Sequence, residues 1–397
     1  MGVISTQLTY DMPANFVELD VNSKIAQYDA DITPLLALMT KLNKKVANAT
    51  TIRWWEDDLI QRWALVGSTA ATTAQTTVIM ASTTDAAYAD PGGAPGTVLY
   101  NPKTGETLLC TTTSGATLTI VRAWSDAGAG AATIAADTAL LRIGTIDYEN
   151  QTSHTPLLVM PSPKLNYTQI FRDPIAFSGS QLAEMKYTGD DRKYQLKKLG
   201  QQHALDIEQT CWLGAARTGT AAEGRAMGGI KEFMSTTNQT SLTVALTEAN
   251  FEAWMFSIFR NTTNGGRNLF VFGGGKLMQA LNQLGRTALQ TVSGTDNPYG
   301  IRFTRWISAQ GDVRLVRHWL MHRSPTTVVD YTLERLAYAV NIDEVQYRPL
   351  KGRDTKLRMN IQENDRDGEK HEYLTEASLE FHLPKAHGTL TSTADFI

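Results

Sequence analysis

The chain is poor in cysteine, shows no excess of charge of either sign and contains no long apolar run. Two of its 397 residues are cysteines, Cys110 and Cys211. They stand far apart and in no metal or redox spacing, which excludes a disulfide framework and fits a reducing or indifferent compartment. The 37 basic and 40 acidic residues leave a formal charge of −3. Without a basic field, sequence-specific nucleic-acid binding is excluded as the main activity. No stretch is long enough to span a bilayer, and the opening MGVISTQLTYDMPANF lacks the charged-then-apolar pattern of a secretory leader.

Catalytic signatures are also missing. There is no nucleophile elbow, zinc-protease helix, paired-cysteine spacing or kinase set. The run Phe270-Val271-Phe272-Gly273-Gly274-Gly275-Lys276 places glycines between a strand and a helix. A phosphate loop needs an earlier glycine and a hydroxyl after the lysine, whereas Leu277 follows Lys276, so a tight strand-to-helix turn is the better reading. His318 and His322 have the spacing of a helical metal pair but lie in an alternating, strand-like run. Same-face strand residues four apart are separated by about 13 Å, too far for one zinc with bonds near 2 Å. His371, His382 and His387 near Glu372, Glu376 and Glu380 read as a solvated face, and the acidic groups at Glu56-Asp57-Asp58, Asp190-Asp191 and Asp365/Asp367 have no obvious basic partner. The chain is therefore expected to be no enzyme, with no catalytic, cofactor-binding or metal site.

What is present is a folded chain of ordinary composition, 42% hydrophobic with 30 glycines. Its length allows two or three compact units at about 150 residues each. The organising stretch is 190–213, DDRKYQLKKLGQQHALDIEQTCWL, rich in helix formers, with Thr188-Gly189-Asp190 as cap and Gly214 as stop. At helical spacing Leu196, Leu199, Ala204, Ile207 and Cys211 form one apolar edge, and Tyr194, Leu205 and Trp212 a second nearly opposite. One edge suits the helix's own sheet. The other meets either the same core or something outside it.

Residues 1 to about 30 read as a polar arm, followed by a short helix over Ile32–Leu42 with Thr33 as cap and Pro34 in its first turn. Thr51–Leu65 carries three tryptophans among charges, either half buried at home or in contact with another chain. From Ala70 to Thr145 Thr, Ala and Gly dominate. Short β-type runs (Thr77–Ala81, Thr97–Tyr100, Thr107–Thr112, Thr117–Arg122, Leu140–Ile143) alternate with turn signals, which predicts a small all-β module. Asn166–Ser178 resumes strand patterning, so the tryptophan run and this stretch would form a long hairpin carrying the module. Helices are predicted over Thr247–Phe259 and Lys276–Leu284. Strands are predicted over Asn268–Phe272, Ile301–Ile307, Asp312–Met321, Val328–Tyr331 and Leu336–Val340, then within Asp354–Leu383, returning to the first long helix.

The order of these parts resembles the major capsid protein of tailed bacteriophages, whose fold is shared with encapsulin shells. The resembling pieces are Asp31-Ile32-Thr33-Pro34-Leu35-Leu36, Asn166-Tyr167-Thr168-Gln169-Ile170-Phe171 with Ser178-Gly179, Met227-Gly228-Gly229-Ile230, and Glu380 through Gly388 (EFHLPKAHG). The pieces are short and their order carries the resemblance, which covers nearly the whole chain outside 70–145. The resemblance implies an α+β capsid fold: an N-terminal arm (1–50), an extended loop (51–69 and 146–180), an inserted β domain (70–145), a peripheral domain with a long spine helix (181–235 and 335–397) and an axial domain (236–334), with Thr291–Gly300 as a loop at the symmetry axes. It further implies a chain that assembles with itself into hexamers and pentamers around double-stranded DNA in the virion, put together in the host cytoplasm. Portal and scaffolding proteins, and a decoration protein, would be partners, and no membrane is involved. The second edge of the spine helix, and Trp54 and Trp55 on the extended loop, would meet neighbouring chains. An encapsulin-like protein compartment is the alternative.

Overall fold

The computed structural model describes residues 33–91, 96–126, 128–146, 149, 160–184, 191–220, 222–234, 238–261, 269–284, 289–290, 304–308, 311–322 and 332–392. Residues 1–32 of the N-terminal arm, the cap at 188–190, the loop at 291–300 and the strand at 328–331 lie outside the described residues. The chain divides into two compact units, residues 1–54 with 164–397, and residues 55–163.

The first described element is α1 (Pro34–Leu42), which buries Leu35, Leu38 and Met39. Strand β1 (Thr51–Glu56) follows. Next come the elements of the smaller unit: β2 (Trp63–Leu65), β3 (Thr77–Ile79), α2 (Thr83–Ala89), β4 (Thr97–Tyr100), β5 (Thr107–Ser114), β6 (Thr117–Val121) and β7 (Ala139–Thr145). Their order in the sheet is β2-β7-β4-β5-β6-β3. The two end strands then meet: Gly67 N donates to Ile79 O at 2.8 Å and Ala81 N to Leu65 O at 2.9 Å, with Val66 opposite Met80. The sheet is thus a closed barrel. Alternation sends Ala64, Val66, Val78, Leu99, Leu108, Cys110, Leu118, Ile120 and Leu140 into one core, while the residues between them face out.

Two features of this unit differ from the expectation of an all-β module starting at 70. It contains α2, capped by Ser82, whose Oγ accepts from Asp85 N, with Ala86 and Ala89 in the core. And its sheet takes in Trp63–Leu65, ahead of the compositional boundary, because the barrel needs β2 to pair with β7 and close against β3. Composition marks where threonine and alanine become frequent, not where hydrogen bonding begins.

A buried ion pair ties the barrel's loops together. Arg122 Nε and Nη2 donate to Glu106 Oε1 and Oε2, each at 2.8 Å, and the backbone N–H groups of Ala123 and Ala132 add bonds of 3.1 and 3.2 Å. Burial pushes the Glu106 carboxyl upward, but the Arg122 hydrogen bond and the two backbone donors outweigh it, so the net shift is downward.

The larger unit continues with β8 (Ser162–Tyr167), which pairs with β1 as a ribbon, β9 (Gln169–Ser178), α3 (Gly179–Ala183), the 23-residue α4 (Asp191–Leu213) and α5 (Ile230–Phe233). Then come β10 (Gln239–Leu242), α6 (Glu248–Phe259), β11 (Leu269–Gly273), α7 (Gly275–Leu284), β12 (Leu289–Gln290), β13 (Thr304–Ser308) and β14 (Gly311–Arg317). The last strands are β15 (Ala337–Asn341), β16 (Val345–Pro349), β17 (Lys356–Arg358), β18 (Gly368–Phe381) and β19 (Gly388–Ser392).

A mixed seven-stranded sheet runs β10-β19-β15-β11-β14-β13-β12. All five β11 residues are buried because both faces are covered. Leu269 and Val271 join Phe251, Trp254 and Ile258 of α6 and Leu277 and Leu281 of α7. Phe270 and Phe272 join α1, Trp212 and Tyr338 in the other core. The glycine run ends this strand. A Cβ on Gly274 would lie 2.5 Å from the Glu334 backbone, so close chain approach, not phosphate, explains it. The second sheet runs β16-β18-β17 with β9 on the other side of β18. Of the strands expected over 354–383, only β18 is long. The strand expected over 312–321 ends at Arg317, where His318 N turns back to Gly273 O.

The barrel supplies a direct test. Residues 55–163 produced alone should unfold in a single cooperative transition. Glu106→Gln should lower its stability by about 3–5 kcal/mol, because the Arg122 charge is left buried without a counter-ion. Urea melts followed by circular dichroism measure both, and an unchanged midpoint would refute the role of the pair.

Candidate assembly surface

The site is built on α4 and the sheet it crosses. Gly200, mid-helix, lets the two approach: a Cβ there would come within 3.1 Å of the Tyr373 hydroxyl on β18. One turn on, His203 Nδ1 bonds Asp173 of β9, and its Nε2 lies 2.6 Å from Thr375 Oγ1, which in turn donates to Thr355 Oγ1 at 2.9 Å. Asp, His and Thr in that order resemble a nucleophile relay. However, Thr375 is fully buried and its proton is already committed to Thr355, so no substrate carbonyl can reach it. The chain of bonds fixes the helix on the sheet.

The second apolar edge of α4 is filled from within the chain at its C-terminal end. Trp212 stacks on Tyr338 at 5.0 Å and meets Phe272 edge-on at 5.1 Å. The face of α4 that stays in solvent is polar, carrying Lys198, Gln202, Asp206 and Gln209. The expectation that Trp212 faces outward is thus corrected, because Phe272 and Tyr338 of the seven-stranded sheet offer it a closer apolar surface.

Beside Trp212 lies Glu208, with no exposed surface. Its Oε1 accepts from Leu35 N at 3.0 Å and its Oε2 from Leu36 N at 2.7 Å. These are orphan N–H groups of the first turn of α1, where the helix dipole also favours an anion. Thr33, the expected cap, makes no side-chain cap bond; Glu208 does the work from α4. His318 Nε2 approaches the same Oε1 at 2.8 Å and Trp212 Nε1 at 3.3 Å. One carboxylate therefore joins α1, α4 and the end of β14. Among the described residues no group of three His, Cys, Asp or Glu side chains could hold an ion.

The opposite face of β18 carries Glu372, Glu376 and Glu380, which period-two alternation places on one side of the strand. These carboxylates are buried, not solvated as expected, because arginines cover them. Arg172 Nη2 reaches Glu372 at 2.7 Å and Arg358 adds a second contact at 3.3 Å. Glu376 takes Arg225 at 2.9 Å, Arg353 at 2.7 Å and Thr168 Oγ1 at 2.8 Å. Glu380 is paired with Arg348 and with His382 Nε2 at 2.9 Å. The Arg172 hydrogen bond holds the Glu372 carboxyl below its usual range. For Glu380, burial pushes upward but is outweighed by His382 and Arg348.

At the corner between β18 and β19, Leu383 is left-handed (φ 48°) and His387 is sealed in. The His387 ring lies 4.2 Å from that of Phe381; its Nδ1 accepts from Asn341 N at 3.2 Å, so its Nε2–H donates to His382 O at 3.1 Å. Burial drives its pKa down from 6.5 to about 3.

The tryptophan segment is split by alternation. Trp54 is packed at home against Phe233 (5.6 Å) and His382 (6.0 Å), in a small core with Ala47 and Ile52, so its expected contact with a neighbouring chain is corrected. Trp55 points the other way, 66% exposed, and Leu59 is 92% exposed. Met160, Leu165 and Ile170 are further exposed apolar side chains on β8, β9 and the approach to them.

Two outcomes are expected from the buried groups. Glu208→Ala should cost about 3 kcal/mol or more, by leaving the buried N–H groups of Leu35 and Leu36 at the start of α1 without an acceptor; a loss below 1 kcal/mol in urea titration would refute the clamp. His387 stays neutral in the folded chain, whereas the unfolded chain takes up a proton below pH 6.5. Its contribution to stability is thus complete above pH 6.5 and falls by about 1.4 kcal/mol per pH unit toward pH 3. The depressed Glu372 and Glu380 add to the loss below pH 4.5. A pH series of urea midpoints should show that slope, and it should flatten by about one proton in His387→Gln.

The family model described as SU10 major capsid protein matches residues 4–394. The major capsid protein of Pseudomonas phage PaMx41 is 27% identical over 327 residues, covering 77% of this chain and 74% of that protein. Among solved structures, one from Mycobacterium phage Cain aligns with 98% of this chain and 99% of its own at 7% identity and a TM-score of 0.49. The capsid asymmetric unit of Cyanophage A-1(L) aligns with 96% and 99% at 11% identity and 0.48. The match of the family model along almost the full length, on a mixed α+β fold, places this chain in the SU10 major capsid protein family, as a viral major capsid protein.

Proposed function

We propose that the chain tiles a closed icosahedral shell, as hexamers and pentamers of itself, around double-stranded phage DNA. The observation that carries this reading is the exposure of large apolar side chains on and beside one ribbon, Trp55, Leu59, Met160 and Leu165, which a free monomer has no reason to present to water. In the shell they lie against neighbouring copies. The proposed division of labour is an N-terminal arm (1–50), an extended loop (51–69 and 146–180) bearing an inserted domain (70–145), a peripheral domain (181–235 and 335–397) built on α4, and an axial domain (236–334) around the symmetry axes.

Assembly from many weak, repeated contacts suits such a chain. Each interface can remain adaptable between five-fold and six-fold positions while ring closure multiplies its effect. The near-neutral charge of −3 lets the wall surround packed DNA without gripping it. A portal, a scaffolding protein and a decoration protein are the partners this role requires or accommodates, with assembly in the host cytoplasm and the product in the virion.

Negative-stain microscopy of the purified chain tests the proposal: closed particles of uniform size are expected, and a monodisperse monomer would overturn it. The double variant Trp55→Ala/Leu59→Ala should reduce closed particles about tenfold, a loss of about 1.4 kcal/mol per contact, with an unchanged circular dichroism spectrum. Trp54→Ala should behave differently, losing about 3–5 kcal/mol of folding stability because it opens a cavity in the chain's own core.

A further inference from the structure

The paired strands β16 and β18 carry a cluster of buried polar atoms. Residues directly opposite on neighbouring strands point to the same side of a sheet. Arg348 stands opposite Ser378, and Gln346 opposite Glu380. Val345, Tyr347, Leu379 and Phe381, which alternate with them, belong to the core that also holds Ile207 and Cys211 of α4. Gln346, Arg348, Ser378 and Glu380 therefore share the opposite face. Ser378 has no exposed surface there, and Glu380 is 7% exposed.

This end of the face is covered. Leu350, two residues past Arg348, packs against the small core of Ala47, Ile52 and Trp54. Asn166 of β8, itself fully buried, donates from Nδ2 to Leu379 O at 2.7 Å. Three side-chain atoms on the covered face are buried and have no hydrogen-bond partner among the described residues: Ser378 Oγ, Gln346 Oε1 and Arg348 Nε. Arg348 starts opposite Ser378 and ends on Glu380, the residue opposite Gln346, through Nη1. That diagonal reach brings its Nε between Ser378 and Gln346. Unpaired buried polar atoms are costly and uncommon, and three in one place call for a shared partner.

The mixture of donors and acceptors selects that partner. Arg348 Nε only donates, Gln346 Oε1 only accepts, and Ser378 Oγ does either. A metal cation would meet the Arg348 guanidinium, and an anion would meet Gln346 Oε1 and the Glu380 carboxylate. Water suits all three, accepting from Nε, donating to Oε1 and doing either with Oγ. Interior waters typically make about three such bonds to groups that lack other partners.

We propose that one water molecule is a fixed part of the subunit, bound between β16 and β18 by Arg348 Nε, Gln346 Oε1 and Ser378 Oγ. Its role is positional. Tied to Nε, it keeps the Arg348 guanidinium turned toward Glu380, whose Oε1 takes His382 Nε2 at 2.9 Å beside Trp54. The site lies within one subunit and does not depend on how copies assemble.

An experimental structure of the full chain, at a resolution that shows ordered water, tests it. A peak about 2.7–3.2 Å from all three atoms is expected. The absence of a peak, or direct pairing of Arg348 Nε with Gln346 Oε1, overturns the proposal. An anomalous signal at the peak in crystals grown with bromide would assign it to an anion and also overturn it. A double-mutant cycle reads the bridge in solution. Ser378→Ala and Gln346→Leu should each lower the folding equilibrium constant about tenfold in urea titrations. The double variant should lose little more than either single one, because each change already releases the water. A combined loss of about a hundredfold, the product of two independent effects, would sink the bridge. If neither variant folds, the peak in the wild-type structure decides.

Discussion

A single buried carboxylate holds the larger unit together. Glu208 accepts two backbone N–H groups from the start of α1 and approaches the rings of His318 and Trp212. A polar side chain in a dry core is tolerated only when its oxygens are filled by donors, and here a helix N-terminus supplies two of them. Everything nearby follows from that arrangement. Helix α1 is held on α4, Trp212 is turned inward against Phe272 and Tyr338, and the seven-stranded sheet is joined to the helix through His318. The clamp spans 172 residues of sequence, so it is a product of tertiary packing and of no local pattern.

The two faces of β18 divide the remaining tasks. One face, through Tyr373 and Thr375, receives α4 by close packing at Gly200 and hydrogen bonds through His203. The other carries the three glutamates under their arginines. Charges placed there are paired within the chain. The sheet is closely packed where it meets the helix and carries ion pairs on its other face.

Much of this was legible in the sequence, and the failures have physical causes. The long helix was visible because propensity and stop signals agree over 190–213. The strand at 269–273 was visible because its apolar run ends in glycines. Glu208 was invisible: nothing local distinguishes it from a solvated helix residue, and its partners Leu35 and Leu36 are far off in sequence. The split between Trp54 and Trp55 was readable, since neighbours on a strand face opposite ways; aromatic content alone suggested treating them together. Likewise Glu372, Glu376 and Glu380 recur at an even spacing on a strand, which assigns them one face. Their burial depended on Arg172, Arg225, Arg348, Arg353 and Arg358, whose scattered positions gave no hint of convergence.

The closed barrel between 63 and 145 has its own consequence. An open sheet leaves a row of unpaired amide and carbonyl groups at each margin, a template on which another copy can polymerise. Here the first strand hydrogen-bonds back to the last through Leu65, Gly67, Ile79 and Ala81, so the ring has no free margin at that seam. A capsid crowds many identical copies into a thin layer at very high local concentration. A domain without a sticky border can be carried in that crowd without zipping onto its twins, leaving the geometry of the layer to contacts made elsewhere.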